Sequence, residues 1–177
     1  MFSTYYQSPI GRLLLTSDGT ALTGLWIEKQ KYYADTAPAD LCEKADLPIF
    51  EYTRQWLDSY FHKKMPAAFE KPLAPYGGPF RQAVWKILCE IPYGQVITYG
   101  QIAQKIARDT GKNMSAQAVG GAVGRNPISI IIPCHRVVGT NGSLTGYAGG
   151  IDVKIKLLQL EGVDMTHLFR PRKGTAL

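Results

Sequence analysis

Between residues 63 and 80 the chain reads KKMPAAFEKPLAPYGGPF, with four prolines and two glycines. Proline removes an amide donor and fixes its own φ, so no helix or interior strand crosses such a stretch intact. The stretch reads as a connector between two units, one on each side. The chain has 177 residues, enough for a hydrophobic core on each side. We expect domains over 1–79 and 80–177, with one short strand near Phe69 inside the connector.

The first side reads as sheet plus helix. Leu13–Thr16 and Leu22–Ile27 flank SDGT, and Asp18-Gly19 between two apolar runs signals a hairpin. A helix is expected after Asp46 as cap, with Pro48 in its first turn and Ile49, Tyr52, Trp56 and Tyr60 along one face. The second side is mostly helical. Val84, Ile87 and Leu88 recur at helical spacing over Phe80–Glu90. Ile102, Ala103, Ile106 and Ala107 mark a helix ending before Gly111. Ser115 can cap the next, with Ala118, Val119, Ala122 and Val123 as its buried face. Two short helices joined by such a turn follow helix-turn-helix grammar. Ile128–Ile132 reads as a short buried strand stopped by Pro133. A last helix is expected behind Asp152, with Ile155, Leu157 and Leu158 inward and Glu161-Gly162 at its end.

Charge separates the two sides. Residues 1–79 hold eight Lys/Arg against nine Asp/Glu, and residues 80–177 hold twelve against five. A basic second half fits a polyanionic partner, and it fits solubility alone. No apolar run approaches the ~20 residues of a bilayer span, and MFSTYYQSPIG has neither the basic start nor the apolar stretch of a signal peptide. A cytoplasmic protein without membrane contact is expected. The three cysteines, Cys42, Cys89 and Cys134, include no CxxC pair, so neither a disulfide framework nor a cysteine-rich zinc site is expected.

The chemistry gathers in IIIPCHRVVG, residues 130–139. Cys134 reads two ways: as a small buried hydrophobe, or as a nucleophile. A thiol nucleophile must lose its proton, which a histidine can accept while a carboxylate orients the ring. Cys134, His135 and Glu161 supply those three groups. Neighbours in an extended segment point to opposite sides, so the Cys134–His135 pair has to sit in a bend or communicate through water. Glu161 also stands at a helix C-terminus, where the helix dipole opposes a carboxylate. No companion pair at ligand spacing makes a metal site of Cys134 and His135. Nearby, Ala116, Ala118, Gly120, Gly121, Ala122 and Gly124 leave one helix almost bare. Either a neighbouring helix or another backbone, including that of a nucleic acid, approaches it closely. GTNGSLTGYAGG, with five glycines between 139 and 150, reads as a mobile loop suited to wrapping a substrate or to a plain surface connection.

NPISIIIPCHRV resembles the active-site signature of the O6-alkylguanine-DNA alkyltransferases (methylated-DNA–protein-cysteine methyltransferases). FRQAVWKIL, TYGQIA, AVGGAVGRNP, GYAGG and KLLQLEG follow in the family's order. The likeness is dense from Phe80 to Gly162 and looser in the N-terminal half, where YYQSPIGRLLL carries it. The resemblance implies an α/β fold: a small RNase-H-like N-terminal domain and a mostly helical C-terminal domain with a helix-turn-helix. It implies direct-reversal DNA repair, in which the damaged nucleotide is flipped out and its O6-alkyl group passes irreversibly to Cys134, once per molecule. Activity on O4-methylthymine stays open. No cofactor and no metal are implied, and the protein acts as a monomer on double-stranded DNA through the minor groove.

By matching position, His135 deprotonates Cys134 through a water and Glu161 orients His135. Asn126 aligns the loop and pocket, and Tyr99 crowds the phosphate backbone to promote flipping. Tyr147 and Ala148 line the base pocket, with backbone amides recognising O6. Ala118, Gly120 and Gly121 allow close approach to DNA, and Arg125 contacts phosphate. Gln117 stands where many members carry an arginine that fills the gap left by the flipped base. It can occupy that gap without bringing a charge. Some relatives hold zinc in the N-terminal domain, but only Cys42 and His62 are available before residue 80. Two other readings stay in view. A lesion-binding relative that does not react would have replaced the acceptor cysteine, and a thiol hydrolase would leave the basic half and the bare helix without a role.

Overall fold

The computed structural model describes residues 1–63 and 65–171. They divide into two compact units, Met1–Tyr76 with Pro127–Ile131, and Gly77–Asn126 with the chain from Ile132 onward. The division falls at 76/77, three residues before the boundary expected at 79/80. The last six residues of the expected second domain lie outside the described residues.

Unit one is a four-stranded sheet with one helix. β1 (Phe2–Ser8), β2 (Gly11–Ser17) and β3 (Leu22–Ile27) form an antiparallel meander, and β4 (Cys42–Glu43) pairs parallel to β1, giving the order β3-β2-β1-β4. At the β2–β3 turn, Asp18 Oδ1 accepts from the amides of Thr20 and Ala21 at 2.8 Å each, which fixes the corner that Asp18-Gly19 signals. Those bonds hold the Asp18 carboxyl below the usual carboxylate range. Leu13, Leu15, Leu22 and Leu25 are fully buried on the sheet.

The helix α1 spans Pro48–Phe61. Its cap is Leu47 rather than Asp46, because Pro48 at the first helical position holds the residue before it extended. Its buried face is Ile49, Phe50, Thr53, Leu57 and Tyr60. Tyr52 and Trp56, expected on that face, sit on its flank and pack edge-on against Phe69, with ring centroids 5.2 and 5.9 Å away. Phe69 is therefore a packing residue rather than a strand residue. The connector touches the sheet further on, where Leu73 bridges to Leu22. The returning segment adds a second edge: Leu25 N donates to Pro127 O and Ser129 N to Leu25 O, both at 2.8 Å.

Unit two holds α2 (Pro79–Cys89), α3 (Tyr99–Thr110), α4 (Ala116–Gly124) and α5 (Ile151–Leu160). A parallel strand pair, β5 (Ile97–Thr98) and β6 (Val137–Val138), lies among them. The helix-turn-helix is α3–α4. Thr98 and Gln101 form a capping box at its start, Gly111 ends α3 in the left-handed region at φ 68°, and Ser115 caps α4. Trp85 of α2 is buried and donates its indole N–H to Ala122 O of α4 at 2.9 Å, fixing α4 from behind. At α5 the cap is Gly150, with Asp152 in the first turn and paired with Arg170. Among the described residues no helix is long and apolar enough to cross a membrane.

Candidate active site

The run Ile128–Ile132 is buried but is not a strand. Only Ile128 bridges to β3. Ile131 N then donates to Ser129 O across Ile130, which stands at φ 72°. This γ-turn is unfavourable for a β-branched residue. A second tight turn follows, with Cys134 N donating to Ile132 O across Pro133 (φ −82°, ψ 62°). Four apolar residues in a row report burial here, and periodicity over so short a run cannot tell a strand from two successive turns.

The second turn delivers Cys134, His135 and Arg136 onto one turn of 3-10 helix, the bend that the adjacent thiol and imidazole require. Asn126, just past the end of α4, holds it there. Its side-chain amide donates to Ile132 O at 2.8 Å and to Cys134 Sγ at 3.0 Å. Cys134 is only 3% exposed. Burial pushes the thiol up from its ordinary value, against the pull of the Asn126 donor and the Lys154 charge. The sulfur is therefore a protonated thiol at rest, and it lies deeper than a nucleophile at the mouth of a strand.

His135 and Glu161 meet, as expected: Nε2 lies 2.7 Å from Glu161 Oε1, with both side chains fully buried. An ionised Glu161 takes the Nε2 hydrogen, which leaves Nδ1 as the basic nitrogen of the ring. Burial lowers the imidazole's pKa and Glu161 opposes that shift, so the ring is neutral and able to accept a proton. Glu161 is held from three directions. Arg136 donates Nε to Oε2 at 2.7 Å and Nη2 to Oε1 at 3.0 Å, and the Gly94 amide reaches Oε2 at 3.4 Å. Burial works to raise its pKa, but the hydrogen bonds from His135 and Arg136 and the Arg136 charge win and bring it down to about 2. These partners are what holds a carboxylate against the helix dipole.

The glycine-rich segment is irregular but anchored. Leu144 and Tyr147 are buried, and Leu144 N donates to Phe169 O at 2.9 Å. Tyr99, at the start of α3, is 8% exposed and directs its hydroxyl to Thr145 O at 3.2 Å and Gly146 O at 3.0 Å. Gly146 has φ 77°, and a Cβ there would run into that hydroxyl, so only glycine fits. Among the described residues the Tyr147 hydroxyl is buried with no hydrogen-bond partner. Ala148 beside it is half-buried.

On α4, Gln117, Ala118 and Gly121 are exposed and Gly120 half-buried, as is Arg125 at its C-terminal cap. Ala118, expected in the core, faces outward; the buried residues are Val119, Ala122, Val123 and Gly124. A Cβ added at Gly121 would meet no atom within 4 Å, and one at Gly120 would only touch the Tyr99 ring at 3.9 Å. No neighbouring helix requires these two glycines. Sequence reasoning missed Arg136, although it stands inside PCHR, and Lys154, whose signal was a lysine three and four residues before the inward Leu157 and Leu158. Cys42 and Cys89 are exposed free thiols, and among the described residues no group of three or more His, Cys, Asp or Glu could hold a metal ion.

The fold and the site together define a two-unit α/β protein with a thiol, an imidazole and a carboxylate assembled beside a helix-turn-helix. Residues 1–75 match the family model of the 6-O-methylguanine DNA methyltransferase ribonuclease-like domain, and residues 79–163 that of its DNA binding domain. The methylated-DNA–protein-cysteine methyltransferase of Haemophilus influenzae is 45% identical over 92% of this chain and 87% of its own length. That of Methanosarcina barkeri is 45% identical over 91% and 97%. The crystal structure of Mycobacterium tuberculosis OGT in complex with DNA superposes with a TM-score of 0.79 at 41% identity, covering 91% of this chain and 92% of that one. The chain belongs to the 6-O-methylguanine DNA methyltransferase family.

Proposed function

We propose that the protein repairs O6-alkylguanine in double-stranded DNA by moving the alkyl group onto Cys134, once per molecule. The observation that carries this reading is the buried Asn126–Cys134 contact beside the His135–Glu161 pair, in the same unit as a helix whose outer face is bare. The relatives' names and the DNA-bound neighbour support it.

A nucleophile cannot reach a guanine O6 substituent inside the duplex, so the nucleotide is rotated out of the stack. α4 enters the minor groove, where Ala118, Gly120 and Gly121 let the backbone approach and Arg125 meets phosphate. Gln117 fills the gap left by the base. Tyr147 and Ala148 line the pocket, with backbone amides toward O6, and the Tyr147 hydroxyl is a buried donor in need of an acceptor. Tyr99 crowds the DNA backbone at the pocket's edge. His135 takes the Cys134 proton through a water while Glu161 steadies the imidazolium. The thiolate attacks the alkyl carbon, forming the S–C bond as the C–O6 bond breaks, and the guanine anion that leaves is reprotonated. The products are normal guanine and a permanent thioether. The lesion is the alkyl donor, so no cofactor takes part, and one protomer supplies every group.

Incubation with a short duplex containing O6-methylguanine, followed by peptide mass mapping, tests this. One methyl on the Cys134 peptide and saturation at one event per molecule are expected. A Cys134→Ala protein that still removes the methyl group refutes it, and tight lesion binding without transfer points to a non-reacting sensor.

A further inference from the structure

Lys154 is a buried charge to which this reaction assigns no task. It lies on the inner face of α5 with Leu157 and Leu158 and is 0% exposed. An ammonium is costly to bury unless it is hydrogen-bonded. Nζ donates to Val137 O at 2.5 Å and to Thr145 O at 2.9 Å. These carbonyls belong to two different parts of the site. Val137 directly follows the Cys134–Arg136 turn, and Thr145 directly precedes Gly146 and Tyr147 of the glycine-rich segment. Thr145 O is also the acceptor of the Tyr99 hydroxyl. A methionine or leucine would fill this core position without the cost of desolvating a charge, so packing alone does not call for a lysine.

We propose that Lys154 is a positioning residue for the alkyl transfer: by bonding the Val137 and Thr145 carbonyls together, it sets the spacing between the thiol's turn and the segment that bounds the base pocket. This rests on the functional reading above. The charge has a supporting effect, because it favours the thiolate of Cys134 and the neutral ring of His135. Burial brings Lys154 itself down to about 8, a shift that a thiolate at Cys134 opposes.

Lys154→Met keeps chain length and packing and removes both bonds. A loss of positioning of about an ångström costs on the order of 100-fold in rate. Single-turnover transfer at saturating O6-methylguanine duplex should therefore slow by roughly that factor, with a much smaller change in the half-saturating concentration. Amide exchange at Gly146 and Tyr147 should rise about tenfold while exchange in α4 stays as in the wild type. Transfer within threefold of wild type overturns the proposal, and so does slow transfer with unchanged exchange in that segment. If the wild type itself transfers nothing, the functional reading fails, and the exchange comparison still decides whether Lys154 holds the segment. Should the variant not fold, the wild type supplies a test. Its Lys154 ammonium protons should be resolved by NMR through slow exchange with water, and exchange as fast as that of surface lysines refutes the clip.

Discussion

Glu161→Gln changes one oxygen to an NH2 and keeps the shape of the side chain. In the native site the carboxylate accepts from His135 Nε2 at 2.7 Å and from Arg136 Nε and Nη2 at 2.7 and 3.0 Å. Glutamine presents one acceptor oxygen, and its NH2 confronts donors. Arg136 is 8% exposed, so its guanidinium is left as a buried charge without an anion. Its bond to Ile91 O at 2.6 Å offsets part of that. Breaking a buried pair from one side costs about 3–5 kcal/mol. For a chain of this length each kcal/mol moves Tm by about 2–4 °C, so calorimetry at pH 7 should find Tm lower by roughly 6–20 °C. The pH dependence follows from the same pair. The native Glu161 titrates at about 2, below its ordinary 4.5, so its contribution is complete above pH 4.5 and disappears as pH falls toward 2. The difference in Tm between wild type and variant should narrow over that interval. Transfer should slow by up to about 10²–10⁴-fold, the usual worth of a general base, because His135 loses the carboxylate that orients it and steadies its charge. A Tm change under 2 °C at pH 7, or a difference that does not shrink in acid, refutes the argument.

Gly121→Ala should stabilise the protein by up to about 1 kcal/mol, since glycine is the poorer helix former and the added Cβ meets nothing; the same variant should bind duplex more weakly in a mobility-shift titration. Unchanged binding removes the reason proposed for the bare face. Gln117→Arg should steepen the salt dependence of duplex affinity by about one counterion, and an unchanged slope places residue 117 away from DNA. With a thiol reagent under native conditions, exposed Cys42 should react first and Cys134 only slowly, given its 3% exposure; a single fast phase for all three thiols contradicts the burial of the acceptor.

Legibility in the sequence followed the range of the physics. Local features were readable because local chemistry makes them: Asp18-Gly19 at its turn, Ser115 as a cap, the α3–α4 pair, and Pro and Gly in the connector. That Cys134 and His135 need a bend or a bridging water was also readable, because neighbours in a strand point to opposite sides. What escaped depends on contacts far along the chain. Ile128–Ile132 is apolar because it is buried in turns, and nothing local tells that it bridges β3 at one residue. Tyr52 and Trp56 look like an inner helix stripe until Phe69 comes back to cover them from outside. Ala118 reads as an inward residue by its spacing, yet small residues suit an open face as well as a core. Lys154 and Arg136 were passed over because charged residues are rarely fully buried, and their partners are separated from them in sequence.

The burial of Cys134 bears on how a single-use nucleophile is kept. A thiol at the surface would be spent on any electrophile in solution. Here desolvation holds the sulfur protonated and solvent scarcely reaches it. Yet the groups that favour its anion are already in place: the Asn126 N–H at 3.0 Å, the Lys154 charge, and a neutral His135 backed by Glu161. Moving the proton from Cys134 to His135 creates no net charge, and both new charges have partners waiting. Reactivity toward small electrophiles in solution is then limited less by a missing base than by access. In the proposed reaction the segment that admits the base is the one tied at Thr145 and Gly146 by Tyr99 and at Thr145 by Lys154. In the proposed reaction, selectivity for an everted nucleotide and protection of the thiol then rest on one tied segment, which has to keep its shape for transfer and also keep solvent out.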